Sequence, residues 1–205
     1  MGELLVISGK SGVGKDTVIE YLTKDGWKRH PSLTTRPKRQ GEIEGINYHF
    51  VGEQDFLNLK KAGELLDDIN ISGYWYRFPL TGLTTDLATS DIVVNMVVES
   101  GLLLKRIIEK TLLVYLAFPD KETQIERLKT RGMTDYEIGI RLRDDPNKDL
   151  MPSYYDIEIV NYNSKETASK VNELAKGLNN EQGNDSFFKR QKFTREKWLP
   201  QSPSL

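Results

Sequence analysis

Four short runs of the chain are apolar at nearly every position: "ELLVIS" (Glu3 to Ser8), "DIVVNMVV" (Asp91 to Val98), "LLVYLAF" (Leu112 to Phe118) and "DIEIVN" (Asp156 to Asn161). Runs that are β-branched and apolar on both faces suit strands buried on both sides, as in a parallel sheet. Each is followed by a segment with apolar positions at helical spacing: "KDTVIEYLTK", "ESGLLLKRIIEK", "DKETQIERLKTRG" and "KETASKVNELAKG". This alternation predicts an α/β fold with a central parallel sheet flanked by helices. No internal repeat interrupts it.

Two stretches break the alternation. Residues 32–83 mix Gly, Pro and aromatic residues in short patterns and read as an inserted lobe. Residues 131–149, "RGMTDYEIGIRLRDDPNKD", are dense in charge and poor in core residues, as a mobile cover would be. The expected division is therefore a body over 1–178, made of a core at 1–31 and 84–178, a lobe at 32–83 and a lid at 131–149. A polar linker and a basic aromatic tail follow at 179–205.

Composition narrows the partners. A formal net charge of −1 over 205 residues leaves no basic excess, so nucleic acid is not expected as the main partner and a small anionic ligand stays open. The absence of cysteine removes disulfides, thiolate metal sites and a cysteine nucleophile. The N-terminus opens directly into the first apolar run, and no window approaches the roughly 20 apolar residues of a membrane span. We expect a soluble cytoplasmic protein. The tail from Phe187 to Trp198 suits packing on its own body or on a neighbouring subunit, so a homodimer stays open.

The stretch "ISGKSGVGKDT" (Ile7 to Thr17) joins the first strand to the first helix. It fits the phosphate-loop pattern Gly-x-x-x-x-Gly-Lys-Ser/Thr except that Asp16 replaces the hydroxyl. Gly9, Gly12 and Gly14 permit backbone conformations in which successive N–H groups face phosphate oxygens, and the helix start adds its positive end. Lys15 supplies a point charge for the β- and γ-phosphates. The loop residues Gly9, Ser11, Gly12, Val13, Gly14, Lys15, Asp16 and Thr17 are thus candidates for ATP binding. A carboxylate is a hard ligand that suits Mg²⁺, so Asp16 is one candidate for the metal. The other reading is that Asp16 merely favours the first turn of a helix, with Thr17 or water completing the metal shell.

"SLTTRPKRQGEIEGINYHF" (Ser32 to Phe50) places Arg36, Lys38 and Arg39 beside hydroxyls and turn glycines. Arginine forks match phosphate oxygens, so a second anion site is one reading and a solvated basic surface the other. The stretch resembles the guanylate kinase family. It meets the pattern Ser-x-Thr-Thr-Arg-x-x-Arg-x-Gly-Glu-x-x-Gly-x-x-Tyr-x-Phe at Ser32, Thr34, Thr35, Arg36, Arg39, Gly41, Glu42, Gly45, Tyr48 and Phe50. "GELLDDINISGYWY", "RLKTRG", "IGIRL" and "YYDIEIVN" resemble further family segments, and the likeness runs from Leu4 to Leu178.

The resemblance implies a P-loop nucleoside monophosphate kinase fold and transfer of the ATP γ-phosphate to GMP or dGMP, with Mg²⁺. It implies that Arg36, Arg39, Tyr48 and Tyr76 hold the acceptor phosphate while Ser32 and Asp67 face its base. Lys15, Arg36, Arg131 and Arg141 would carry the catalytic charge, the last two from the lid, and Asn161 would lie near the adenine. Two positions depart from the family: Phe78 stands where a hydroxyl is usual and Val97 where an acid is usual. A site that hydrogen-bonds one base loses discrimination when its partners vanish. A kinase of another nucleoside monophosphate, pyrimidine or modified, with Phe78 stacking on or shaping the base site, is therefore the alternative. A non-catalytic guanylate-kinase-like interaction domain is a further one, opposed by the presence of Lys15 and the lid arginines. His30 and His49 read as structural, and Trp75 as core.

Overall fold

The computed structural model describes residues 2–61, 66, 69–143 and 154–180. Asp67, the lid residues 144–149 and the tail 181–205 lie outside the described residues. The four apolar runs form strands β1 (Leu4–Gly9), β7 (Ile92–Asn95), β8 (Thr111–Ala117) and β9 (Ile157–Val160). With the two-residue edge strand β2 (Lys28–Arg29) they make one parallel sheet in the order β2-β7-β1-β8-β9. All six residues of the central strand β1 are buried, because both of its edges are paired and both of its faces covered. Leu5 and Ile7 meet Val18, Ile19 and Leu22 of helix α1 (Lys15–Lys24) and Val171 of helix α7 (Ser164–Asn180). Leu4 and Val6 meet Leu87 of α3 (Leu83–Thr89) and Leu104 of α4 (Val98–Ile107) on the other face. Each such side chain contributes about 1.5–3 kcal/mol through burial.

The run expected as a strand to Val98 stops at Asn95, which pairs with Ile7. Beyond this point the partner strand β1 continues toward the phosphate loop and pairs only with β8. Val97 turns the chain, and Val98 opens α4. At Gly101 of α4 an added Cβ would lie 2.5 Å from Leu113 and 2.9 Å from Val6, so the helix packs directly on the sheet.

Within 32–83 the chain builds a second, four-stranded sheet, β4 (Tyr48–Phe50), β3 (Ser32–Thr34), β6 (Tyr74–Arg77) and β5 (Ile69–Ile71), in that order. Ser72 and Gly73 turn the β5–β6 hairpin with φ of 53° and 85°, the two positive values of a type I′ turn. Helix α2 (Glu53–Lys61) packs Phe56 against this sheet, under the Arg77 guanidinium at 5.3 Å. Trp75 is a correction: 40% exposed, it lies beside Phe56 at 6.3 Å and outside both core clusters. Helices α5 (Lys121–Thr130) and α6 (Asp135–Arg143) complete the described chain, α5 being capped by Asp120, whose carboxylate accepts from Thr123 N at 2.6 Å. Among the described residues no helix is long and apolar enough to cross a membrane.

Candidate functional site

The loop between β1 and α1 is shaped from behind by side chains of other elements. The Val13 carbonyl accepts from Asn161 Nδ2 at 2.6 Å and Arg127 Nη1 at 3.0 Å, and the Ser11 carbonyl accepts from Gln124 Nε2 at 3.3 Å. Gly14 has a φ of 102°, and a Cβ there would lie 2.7 Å from the Asn161 amide. Lys15 Nζ folds over the loop and donates to the Gly9 and Lys10 carbonyls at 2.5 and 3.2 Å. The ammonium is thus held at the loop, where an incoming anion can recruit it.

One cleft gathers most of the expected site residues. Gly9, Ser11, Gly12, Lys15 and Asp16 line it from the loop. Ser32, Arg36, Arg39, Tyr48, Tyr76 and Phe78 line it from the second sheet, and Arg131 and Arg141 from the end of α5 and from α6. Four expected residues are elsewhere. Val13 is buried in the core, and Gly14 lies behind the loop against Asn161. Thr17 is turned to solvent by α1 and is not in the cleft wall. Asn161 is fully buried; its amide holds Val13 O and its Oδ1 accepts from Thr167 at 2.8 Å. Asn161, expected near the adenine, is thus seen as a clamp behind the loop and not in the cleft wall, and the expected metal role of Thr17 has no support from its position.

The cationic side of the cleft is organised by a carboxylate. Arg36, 5% exposed, gives Nη2 to Glu42 Oε1 at 2.7 Å, Nη1 to Oε2 at 3.0 Å and Nε to the Tyr76 hydroxyl at 3.2 Å. Burial works against this guanidinium's charge, but Glu42 and Tyr76 together more than offset it and hold Arg36 above the ordinary arginine value. Burial likewise pushes Glu42 up, and the bonds from Arg36 and the Arg39 N–H bring it below the ordinary carboxylate range. Arg39 is exposed and spends its backbone N–H on Glu42. Half-buried Arg141 is held below the ordinary value, first by burial and then by the facing charge of Arg39; its Nη1 donates to Ser11 Oγ at 3.3 Å. Arg131 is lowered too, by desolvation between the cleft walls and by Arg39.

Asp16 is tied into a network that its sequence position does not announce. Its Oδ1 accepts from Arg29 Nη2 at 2.6 Å and from Asn95 Nδ2 at 3.4 Å. Arg29 also donates to Asn47 O at 3.0 Å, and Asn95 donates to the Tyr48 hydroxyl at 3.2 Å. Burial, reinforced by the Asp16 charge, raises the Tyr48 hydroxyl well above its ordinary value, so it stays a neutral donor. Sequence reasoning missed Arg29, Asn95 and Arg127 as site residues. Glu42 was legible as a fixed motif position but not as the partner of Arg36.

Beneath the β5–β6 hairpin the cleft walls are mixed, with Ile69, Ile71, Met96 and Val97 beside Ser32, Ser72, Ser100 and Arg77. Phe78 is 1% exposed and packs with Leu83 and against the His30 ring at 5.2 Å. It therefore shapes the wall from the core and has no free face for stacking. His30 itself bonds to Pro79 O and Asp86, a structural role as expected.

The family model for guanylate kinase matches residues 1–177. The guanylate kinase of Streptococcus mutans is 33% identical over 178 residues, covering 84% of this chain and 85% of that one. That of Frankia casuarinae is 34% identical over 179 residues, covering 82% and 94%. The crystal structure of guanylate kinase from Anaplasma phagocytophilum superposes with a TM-score of 0.67 at 25% identity, over 86% of each chain. A phosphate loop at the end of β1, an Arg-Glu-Tyr set on a second sheet and two arginines facing both across one cleft agree with these matches, and the chain belongs to the guanylate kinase family.

Proposed function

We propose that this protein is an ATP-dependent kinase that transfers the γ-phosphoryl group of ATP to GMP or dGMP, giving ADP and the nucleoside diphosphate. The observation that carries this is the convergence of Lys15, Arg36, Arg39, Arg131 and Arg141 on one cleft between the loop and the second sheet. Two polyanions that must react with each other need such cationic walls, since phosphoryl transfer depends on positioning and charge neutralisation more than on covalent chemistry. The loop and Lys15 hold the β- and γ-phosphates of ATP. Arg36, Arg39, Tyr48 and Tyr76 hold the acceptor phosphate, Tyr48 as a neutral donor. An acceptor oxygen attacks the γ-phosphorus in line as the bond to the ADP oxygen breaks. The acceptor phosphate is already ionised at neutral pH, so no general base is required. Arg141 and Arg131 balance the charge on the transferring group, a contribution worth about 10³–10⁵ in rate for such arginines.

In this reading residues 32–83 are the acceptor lobe, 131–149 the lid and the remainder of 1–178 the core. On this reading the enzyme draws on the free nucleotide pool and works in the cytoplasm. The donor set also suits Mg²⁺: Asp16 lines the cleft beside the loop, its side chain 44% exposed, and only Oδ1 is engaged by Arg29 and Asn95. Asp16 would hold the ion, which would supply neutralisation of the phosphate charge.

A second reading concerns the acceptor base. Val97 and Met96 line the cleft without a hydrogen bond to offer, and Phe78 has replaced the family's hydroxyl. These changes favour weakened discrimination against other bases. Phosphoryl transfer from ATP and Mg²⁺ to each common ribo- and deoxynucleoside monophosphate tests both. We expect GMP and dGMP to be the best acceptors; a preference for a pyrimidine acceptor establishes the second reading. Loss of all ATP binding in the purified protein would establish a non-catalytic domain.

A further inference from the structure

We infer that Asp16 and Arg29 form a positioning pair that stands in for the usual loop hydroxyl and ties the ATP loop to the acceptor side of the cleft. The inference rests on the kinase reading above. Arg29 ends the edge strand β2, and its side chain is only 7% exposed. A guanidinium removed from water needs a compensating anion, and Asp16 supplies it at 2.6 Å from the first turn of α1. Arg29 Nη1 is shielded from solvent and makes no hydrogen bond among the described residues. The carboxylate is therefore the principal compensation for the buried charge. The converse also holds. A carboxylate at the mouth of a phosphate-binding loop repels the anion the loop must hold, and Arg29 cancels that charge.

The pair also has a direction. From Asp16 one path runs through Arg29 Nη2 to the carbonyl of Asn47, 3.0 Å away, immediately before Tyr48 of β4. Asn47 Oδ1 in turn accepts from Ile43 N at 2.8 Å and so fixes the turn that follows Glu42. A second path runs through Asn95 Nδ2, which lies 3.4 Å from Asp16 Oδ1 and 3.2 Å from the Tyr48 hydroxyl. Asp16 thus sits where the ATP loop, the edge of the main sheet and the acceptor-phosphate residues meet. A loop serine or threonine is too short and uncharged to hold Arg29 in this way. The acid in the loop and the arginine in β2 compensate each other's charge.

The test is a double-mutant cycle of wild type, Asp16→Ser, Arg29→Met and the double variant, with Arg29→Lys as a conservative control. Wild-type turnover of the best nucleoside monophosphate acceptor is measured first, and its absence with every acceptor would refute the kinase reading separately. We expect each single change to raise the acceptor KM about tenfold or more with a smaller effect on the KM for ATP. The double variant, which restores the loop hydroxyl and removes the buried charge, should recover most of that loss, the non-additivity of groups in contact. Thermal melting and ATP binding without Mg²⁺ give readouts independent of turnover: each single variant should melt below the double variant. Additive losses in KM and melting temperature would overturn the pairing. So would an Asp16→Ser protein that melts and turns over like wild type, or one whose main defect is a tenfold greater Mg²⁺ requirement while Arg29→Met stays unaffected. The last result would make Asp16 a metal ligand instead.

Discussion

Arg36 meets its substrate already occupied. A guanidinium has five N–H donors, and here one goes to Tyr76, two from Nη1 to Pro37 O and Glu42, and one from Nη2 to Glu42, leaving a single Nη2 N–H for a ligand. Arg39, exposed and bound among the described residues only through its backbone, is the more available phosphate ligand, so Arg39→Ala should cripple acceptor use in steady-state kinetics while ATP binding survives; equal loss of both would remove the separation of the two sites. Glu42 acts by aiming Arg36. Its replacement by Gln breaks a mostly buried ion pair, which costs about 3 kcal/mol or more, and should raise the acceptor KM more than it lowers kcat. The pH dependence has a definite sign. The Glu42 carboxyl is held below its ordinary value of 4.5, so its contribution is full above that value and disappears as pH falls through the folded value. In urea denaturation the stability gap between wild type and Glu42→Gln should be constant from pH 6 to 8 and shrink below pH 4.5. An equal gap at pH 4 and pH 7 would assign the effect to packing.

Elements were legible in proportion to how much of their surface is buried. The strands β1, β7 and β8 announce themselves as apolar runs because both faces are covered, the edge strand β9 alternates buried Ile157 with exposed Glu158, and α1 has the bounds its periodicity predicts. The edge strand β2 has two charged residues and no apolar signal, so Arg29 could not be placed beside Asp16 from sequence. The second sheet is built from strands of three and four residues, too short for alternation to register. There the family resemblance, not periodicity, located Arg36, Tyr48 and Tyr76. Asn161 shows the limit of motif transfer, because spacing does not distinguish a residue that touches the nucleotide from one that holds the loop from behind. Its structure predicts a particular defect. Asn161→Ala leaves Val13 O with only Arg127 and deprives Thr167 of its acceptor, a cost of about 1–3 kcal/mol. ATP affinity, measured with a fluorescent analogue, should fall several-fold while the acceptor KM is unchanged. A defect confined to the acceptor would contradict the clamp.

The whole molecule carries a formal charge of −1, yet among the described residues its cleft is lined by six cations, Lys15, Arg36, Arg39, Arg77, Arg131 and Arg141, against the carboxylates of Asp16 and Glu42. Charge has been concentrated where two phosphorylated substrates meet, and without them those cations repel each other. Arg141 feels this most clearly: burial and then the charges of Arg39, Arg36 and Arg131 all disfavour its protonated form. The nucleotide-free protein therefore gives up stability for a site that only anions complete. Arg141→Gln keeps a donor for Ser11 and removes the charge. It should raise the melting temperature of the nucleotide-free protein by about 1–2 °C, the shift that a few tenths of a kcal/mol gives in a chain of this size. The same change should weaken the response to ATP. At a concentration 100 times its Kd, ATP stabilises the wild type by about 2.7 kcal/mol; a tenfold weaker site retains about 1.4 kcal/mol, a loss of about 3–5 °C in the ATP-induced shift. A lower melting temperature without nucleotide would mean that Arg141 chiefly holds the lid to the loop through Ser11. An undiminished ATP shift would mean that Arg141 does not meet the nucleotide, and the closing charge would then have to come from Arg131.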